Sequence, residues 1–519
     1  MFVSNICIVG AGPAGSALAA RMAALGHRVC LVERSMFPRA HLGESLTPGV
    51  LPLLDVLGVR EAVEAAGFPR VDVVRVQWGQ GLQWRRDPRR EGLLVDRGRF
   101  DALLLDHAKK LGVHVLQPAV PCERRWVGDK WHLRIRTNDG TVELETKFIA
   151  DACGRIAFLP RRRRRIGCRT LALYAYWRGR GIPDEPRIEA GADAWYWGVP
   201  LSDGSYNTLV FVDFEHFRSG PRMSVDARFH NLIARSGLMA GCHDAQAGPV
   251  LVSDATPYVD ENCVSSCSIK VGDAALAIDP LSSSGVQKAL QNALAGAVVV
   301  NTILRKPDAS AAAFRFFRES VNIASESHCR WAATNYQEVA QRDAGSFWQK
   351  RAAGAVSSLP PAQSPASLSG QHNSQAIANL SIVHLSPQLE FVDLPCIEGE
   401  FVTVKAALRH PNLDGPVAFL GGWEMAPLLK ELDPGLTAVQ VAHSWSNRIP
   451  LQAGMALVSW LISRGILVQE AFPSDDEATA TRFNASCDLG RYCDRSILSA
   501  VRKSGYSLGF VRKLDPASE

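Results

Sequence analysis

Short unbroken apolar runs open the chain. Ile6-Cys7-Ile8-Val9 and Val29-Cys30-Leu31-Val32 each read as a strand buried on both faces, the pattern of a parallel sheet covered by helices. Between them the turn Gly10-Ala11-Gly12-Pro13-Ala14-Gly15 leads into an alanine- and leucine-rich helix that stops at Leu25-Gly26. A further helix is predicted from about Gly49 to Leu57. Another covers residues 99–111, where Phe100, Leu103, Leu104, His107 and Leu111 share one side. Residues 71–78 and 82–84 predict a hairpin, and alternating strands follow at 131–137 and 142–150. From 170 to 215 the runs LALYAYWRG, AWYWGVPL and YNTLVFVDF are expected to build one antiparallel sheet. A buried strand at Ile269-Lys270-Val271 precedes a long small-residue helix, with two more helices over 310–350.

Residues 354–375 are rich in Ser, Pro, Ala and Gln and read as a linker. A separate unit begins near Leu380. In it Thr437 caps a short helix, and a second helix over 454–463 carries Met455, Val458, Leu461 and Ile462 on one face before the strand Ile466-Leu467-Val468. Helix, turn, helix and strand in this order resemble a winged helix-turn-helix. Its exposed positions are mixed rather than basic, so nucleic acid is not the expected partner. Small domains of this kind also grip a peptide or partner protein by adding a strand to a sheet edge, and a structural role stays open beside that.

The first turn carries chemistry. Gly10 allows the tight bend, Gly12 lets backbone approach a pyrophosphate, and Gly15 lets helix and strand pack closely. Pro13 and Ala14 begin the helix whose N-terminal N–H groups and dipole face the phosphates. Glu33, followed by Arg34, ends the second strand where a carboxylate accepts hydrogen bonds from ribose hydroxyls. Together these predict a dinucleotide site.

Bulk properties narrow the class. The 519 residues accommodate two or three domains, and 47% hydrophobic with 21% charged residues is ordinary for a globular protein. A net charge of +5 implies no general attraction to nucleic acid. Two local runs are strongly basic, Arg85 to Arg90 and Arg161 to Arg165; they read as solvated loops or as a docking surface for an acidic partner. Twelve cysteines without a C-x-x-C pair, the closest being Cys263 and Cys267, predict reduced thiols, no metal site and a cytoplasmic location. No signal peptide and no apolar stretch of spanning length is read, so no membrane is expected.

Four further motifs resemble those of flavin-dependent tryptophan halogenases and related FAD monooxygenases. The run Gly43-Glu44-Ser45-Leu46-Thr47-Pro48, then Leu57-Gly58, resembles their GES stretch. Arg97 with Phe100-Asp101 matches the helix that such proteins place against the flavin. Asp151-Ala152-Cys153-Gly154-Arg155 resembles their D-A-S-G-R turn, with Cys153 in place of serine. Gly272-Asp273-Ala274-Ala275, then Asp279-Pro280-Leu281-Ser282-Ser283-Ser284-Gly285-Val286, resembles the second FAD motif, where the acid holds the ribityl chain and the helix N-terminus faces the ring. The resemblance implies FAD, held by Gly10, Gly12, Pro13, Ala14, Gly15, Glu33, Arg34, Glu44, Ser45, Arg97, Asp151, Gly154, Gly272, Asp273, Pro280, Ser284, Gly285 and Val286. Trp195-Tyr196-Trp197-Gly198-Val199-Pro200 resembles the family's W-x-W-x-I-P signature; Trp195 and Trp197, with Ser282, Ser283 and Ser284, are the pocket candidates.

The implied fold is α/β. It comprises a Rossmann-like FAD domain of the glutathione-reductase type (1–75, 95–165, 265–305), an antiparallel-sheet substrate domain (76–94, 166–264) with a helical part (306–353), and a linker (354–379). A small winged-helix-like α+β domain with a tail (380–519) completes it.

Departures from the family pattern redirect the expected reaction. Halogenases of this type carry a lysine shortly after the GES helix; the corresponding stretch here, Ala65 to Asp72, holds none. Arg70 is no substitute, because a guanidinium stays protonated. Tryptophan halogenases also have a glutamate where Ser282 stands. What remains is flavin and O₂ chemistry beside an aromatic-lined pocket: transfer of the terminal oxygen of a flavin C4a-hydroperoxide to an electron-rich ring. With the added C-terminal unit, the chain resembles flavoprotein monooxygenases that mature tryptophan-derived quinone cofactors, as for quinohemoprotein amine dehydrogenase. The implied reaction is hydroxylation, once or twice, of a tryptophan in a partner polypeptide before cysteine tryptophylquinone forms. No second glycine fingerprint appears, so electrons come from transiently bound NAD(P)H or from a separate flavin reductase. No general base is assigned and the oligomeric state is left open. Alternatives are a halogenase or hydroxylase of a small or carrier-bound aromatic, an alkene-saturating reductase, and a non-enzymatic flavin-bearing docking protein.

Overall fold

The computed structural model of the chain describes residues 2–469, apart from 40, 72, 80, 87–91, 221–222, 241, 243–244, 344 and 354–380. The predicted linker and the tail after 469 lie outside the described residues. The chain divides into two compact units, one of residues 1–306 and 317–359, the other of 307–316 and 360–519. Residues 307–316, placed with the catalytic helices from sequence, thus group with the second unit.

The first unit is organised around a seven-stranded sheet. Its strands run in the order His114–Leu116, Val29–Val32, Phe2–Val9, Gly140–Asp151, Lys130–Thr137 and Ala119–Val127, with Ser268–Lys270 also paired to Gly140–Asp151. The strands on the glycine-turn side pair parallel, and 119–151 form an antiparallel meander. Ile6, Ile8, Leu31 and Ile149 are fully buried, as continuous apolar runs under covering helices must be. The Ala119–Val127 strand is not legible in the sequence because most of its residues face solvent and it shows no apolar alternation. The short helices Arg60–Ala65, Phe214–Ser219 and Val225–Ala234 likewise go beyond the elements that the pattern predicts.

A second sheet of eight strands lies in the same unit, in the order Gln246–Ala247, Thr170–Arg178, Tyr206–Asp213, Ala194–Pro200, Arg187–Ala190, Val73–Trp78 and Gly81–Arg86, with Leu251–Asp254 also on Thr170–Arg178. The three runs over 170–215 pair antiparallel with one another, as expected. Arg187–Ala190 pairs parallel to Val73–Trp78, so the sheet is mixed. The chain leaves Val73–Trp78 through its hairpin, passes through the first sheet and returns in the original direction, a crossover that only a long connection permits. One face of this sheet carries Val76, Trp78, Ala172, Trp195, Leu209 and Phe211, which pack against Ala332, Tyr336 and Val339 of the helix Ser310–Ala340 and against Trp348 of Ser346–Ala353. The other face, with Leu173, Tyr196, Tyr206 and Val210, is closed by Phe229 and Ile233.

In the second unit a hairpin, Glu390–Glu398 with Phe401–Arg409, precedes three helices: Met425–Lys430, Ala438–Ser444 and Leu451–Ser463. Leu467–Gln469 then pairs antiparallel with Val383–Leu385. Thr437 caps its helix as expected and completes a capping box with Gln440. Met425, Leu429, Val441, Trp445 and Leu461 form its core. The second helix of the pair, LQAGMALVSWLIS, contains no charged residue, which offers nothing to a phosphate backbone.

Candidate active site

The glycine turn is built as the sequence requires. A Cβ on Gly15 would lie 1.8 Å from the Gly10 carbonyl oxygen, and one on Gly10 would lie 2.6 Å from the Ala152 oxygen. Only glycine allows helix, strand and the Asp151–Cys153 segment to meet here. Gly12 is different, since its missing Cβ faces space, with the Arg39 guanidinium nearest at 3.8 Å. No side chain caps the helix Pro13–Ala24, leaving its first N–H groups for an anion. Arg39 Nε is buried without a hydrogen-bond partner. An uncapped helix end, an open glycine and a guanidinium with an orphaned nitrogen fit a pyrophosphate. Sequence reasoning missed Arg39, which belongs to no motif and reaches the turn only through folding.

Glu33 is buried and accepts N–H groups from Ala11 (2.7 Å) and Ser35 (2.9 Å), so strand, turn and acid form one rigid element. Arg34 beside it is exposed. Asp151 accepts from Cys153, Phe158 and Leu159, fixing the turn that holds Gly154. The Cys153 thiol, close to the Val9 carbonyl, is pushed far up by burial and then by Asp151, so it is an inert replacement for serine. Asp273 is bonded to Lys288 Nζ at 2.7 Å. Burial opposes its charge, but Lys288 and Arg155 outweigh that and hold the carboxyl below its usual range.

Arg97 and Glu44, both assigned to the cofactor from sequence, make extensive contacts with protein groups. Arg97 donates twice to Asp101, at 3.0 and 3.1 Å, and once to the Leu42 carbonyl at 2.6 Å, so it braces the 42–43 loop. Glu44 joins two parts of the unit: Tyr176 Oη (2.9 Å) and Asn207 Nδ2 (3.1 Å) from the second sheet donate to one oxygen, and the Gly43 N–H to the other. Burial raises the Glu44 carboxyl above its usual value, with Tyr176 and Gly43 pulling the other way. Both residues thereby tie the loop that carries Ser45 to the rest of the unit. The physical reason is burial, because a charge enclosed by protein must be met by protein groups.

The second sheet presents its aromatic face beside this loop. Trp195 and Trp197 do share a face, yet Trp195 is only 2% exposed and stacks on Phe211 with ring centroids 3.8 Å apart. Trp195 is therefore core rather than pocket wall. Trp197 and Tyr174 remain half-buried at the margin of that cluster, along with Leu42. The serine turn is half-buried as well. Ser282 donates to the Asp279 carbonyl, Ser284 donates to Ser282, and Ser283 takes a left-handed conformation. Ser284 then begins the helix Gly285–Arg305, followed by Val286, and Pro280 opens the preceding single turn.

Behind that turn is a cavity of about 150 Å³ lined by Ile166, Cys168, Pro257, Ile278 and Ala332, with Asp279, His328, Tyr336, Lys350 and Arg351 as its polar groups. Tyr336 Oη donates to the Asp279 carboxylate (2.9 Å), whose value burial raises. Burial lowers His328 to about 4, with the Lys288 charge adding to it. A histidine neutral in the fold but protonated when unfolded makes the protein lose stability as pH falls from about 6.5 towards 4, by up to roughly 3 kcal/mol. His328→Asn is expected to flatten this slope in denaturant titrations at pH 7 and pH 5; equal slopes for the two proteins would refute the assignment.

Residues 4–154 match the family model for the FAD binding domain, and residues 90–364 match that for tryptophan halogenase. The chain belongs to the tryptophan halogenase family. It is thus a flavin-dependent oxidoreductase by family. It is 33% identical over 372 residues to tryptophan 2-halogenase of Chondromyces crocatus, across 66% of this chain and 70% of that protein. Among solved structures, QhpG, a peptidyl tryptophan dihydroxylase essential for tryptophylquinone cofactor biogenesis, is 27% identical with a TM-score of 0.68, covering 89% of this chain and 99% of that one. The flavin-dependent halogenase CmlS shares the fold, with 22% identity, a TM-score of 0.69 and coverage of 90% and 96%. Among the described residues no helix is long and apolar enough to cross a membrane, and no group of three His, Cys, Asp or Glu is placed to hold a metal.

Proposed function

We propose that this chain is an FAD-dependent monooxygenase that hydroxylates a tryptophan side chain of a partner polypeptide, on the route to cysteine tryptophylquinone. The observation that carries the reading is the missing amine: the first lysine of the chain is Lys109, so the segment after Gly43–Pro48 has nothing to take up a hypohalous acid. The similarity to a peptidyl tryptophan dihydroxylase over 89% of the chain supports it. The glycine turn, Arg39, Glu33 and Asp273 would hold FAD. Bound there, FAD supplies the reductive activation of O₂, one atom going to the ring and one to water, with electrons from NAD(P)H or a separate reductase. The remaining groups orient and exclude water: Arg97 and Glu44 hold the loop, Tyr174 and Trp197 offer an aromatic wall, and Asp279 with Tyr336 sets the serine turn. The C-terminal unit would hold the partner polypeptide by adding a strand of it to a sheet edge.

Halogenation is the second reading, favoured by the 33% identity to a tryptophan 2-halogenase and by Lys350, an exposed amine at the cavity wall. Mass spectrometry after incubation of a tryptophan-containing partner with reduced flavin, O₂ and bromide separates the two. Hydroxylation adds about 16 or 32 mass units. A bromine isotope pattern that disappears in Lys350→Ala would establish the second reading instead.

A further inference from the structure

The arginine run left unassigned by the reaction occupies a definite place. Arg163–Arg165 is an edge strand, paired on one side with Tyr258–Asp260 and, among the described residues, with no strand on the other. Arg161, Arg162, Arg164 and Arg165 are exposed. A single acid, Glu261, meets Arg162 Nε at 3.1 Å and Arg164 Nε at 3.6 Å, which leaves the strand strongly positive. The next residues of the chain, Ile166, Gly167 and Cys168, form one wall of the cavity that ends on Asp279, and exposed Lys350 stands on another. Burial and then the Asp279 carboxylate raise the Cys329 thiol on the cavity wall, with Arg164 pulling the other way. An open strand edge that carries cations is thus followed directly in the chain by residues lining a cavity with walls of Ile166, Pro257, Ile278 and Ala332.

We propose that this edge and cavity form a docking groove for an acidic, extended segment of the partner polypeptide, which lies along Arg161–Arg165 and sends one apolar side chain into the cavity. Free backbone N–H and C=O groups on an edge give such a segment its register. Carboxylates exchange easily with Glu261, because exposed ion pairs contribute only about 0–1 kcal/mol. Clustered cations speed the encounter and choose acidic over basic segments, an effect that salt screens. The inference rests on the polypeptide-substrate reading and adds the charge and conformation of the segment recognised.

The test uses the full chain loaded with FAD and two fluorescent peptides, each with one tryptophan, flanked by aspartate and glutamate in one and by lysine in the other. Anisotropy is expected to show binding of the acidic peptide alone, weakening steeply with salt. Arg162→Glu/Arg164→Glu/Arg165→Glu should weaken it by about tenfold or more, with unchanged flavin absorbance and melting temperature; replacement of the same three by lysine should retain it. Should the triple variant not fold, polyaspartate must displace the acidic peptide from the native chain while polylysine does not. Equal binding of both peptides, indifference to the charge reversal or failure of polyaspartate to compete would overturn the proposal, leaving the arginines as edge protection. Binding is read without turnover, so a chain that captures the acidic peptide yet halogenates it would sink the hydroxylase reading and spare this one.

Discussion

Gly15→Ala is expected to yield colourless protein. The new methyl would stand 1.8 Å from the Gly10 carbonyl oxygen and 3.0 Å from Ala152 Cβ, both fixed by the parallel strands Phe2–Val9 and Gly140–Asp151. Backbone must move, and what moves is the turn whose N–H groups face the phosphates. FAD affinity should fall by at least about a hundredfold, read by flavin absorbance of purified protein and by calorimetric titration. Gly12→Ala separates the causes, because its Cβ meets only the Arg39 guanidinium, at 3.8 Å. It should keep the melting temperature of the apoprotein while weakening FAD. Yellow Gly15→Ala protein, or a Gly12→Ala variant that binds FAD normally, would contradict the reading of this turn as the pyrophosphate cradle.

Removing the amine of Lys270 is expected to cost about 3–5 kcal/mol of stability, the usual effect of stranding one charge of a buried pair. Lys270 is 2% exposed and Asp260 is 0% exposed; they meet at 2.6 Å, and the same amine donates to the Pro160 carbonyl at 2.8 Å. The pair fastens the Ser268–Lys270 strand to the segment that leads into the arginine edge. Lys270→Met leaves the Asp260 carboxylate facing apolar surroundings, with only the N–H groups of Arg162 and Asn262 as donors. The melting temperature should drop by roughly 10 °C. Adding Asp260→Asn should restore part of it, since the uncompensated charge is then gone. A single variant as stable as the native chain would show the pair to be dispensable.

Local pattern carried much of this protein. The apolar runs 6–9 and 29–32, the glycine spacing at 10, 12 and 15, and the acid at 33 specify a dinucleotide turn on their own, because backbone sterics and hydrogen bonding there act over a few residues. Thr437 with Gln440 is a comparable case, a cap written in four consecutive positions and found as such. Where the signal was weak, the reason is visible. Ala119–Val127 is exposed along most of its length, so nothing apolar alternates in it. Motif identity does not show partners that come from far away: Arg97 meets Asp101 one helical turn on but also the Leu42 carbonyl 55 residues back, and Glu44 is met by Tyr176 and Asn207, more than a hundred residues on.

The sequence by itself determined the flavoprotein class and the short-range chemistry of the turn, both encoded by spacing and residue type within single motifs. Only the tertiary structure decided that Trp195 is core while Trp197 stays at the margin, since alternation puts both on one face but the Ser310–Ala340 helix and Phe211 cover only part of it. It alone brought Arg39 to the glycine turn, His328 into one cavity with Asp279, and the segment after the arginine strand to a wall of that cavity. Those meetings depend on long-range packing between segments that share no local pattern, and packing is settled by the whole buried surface at once.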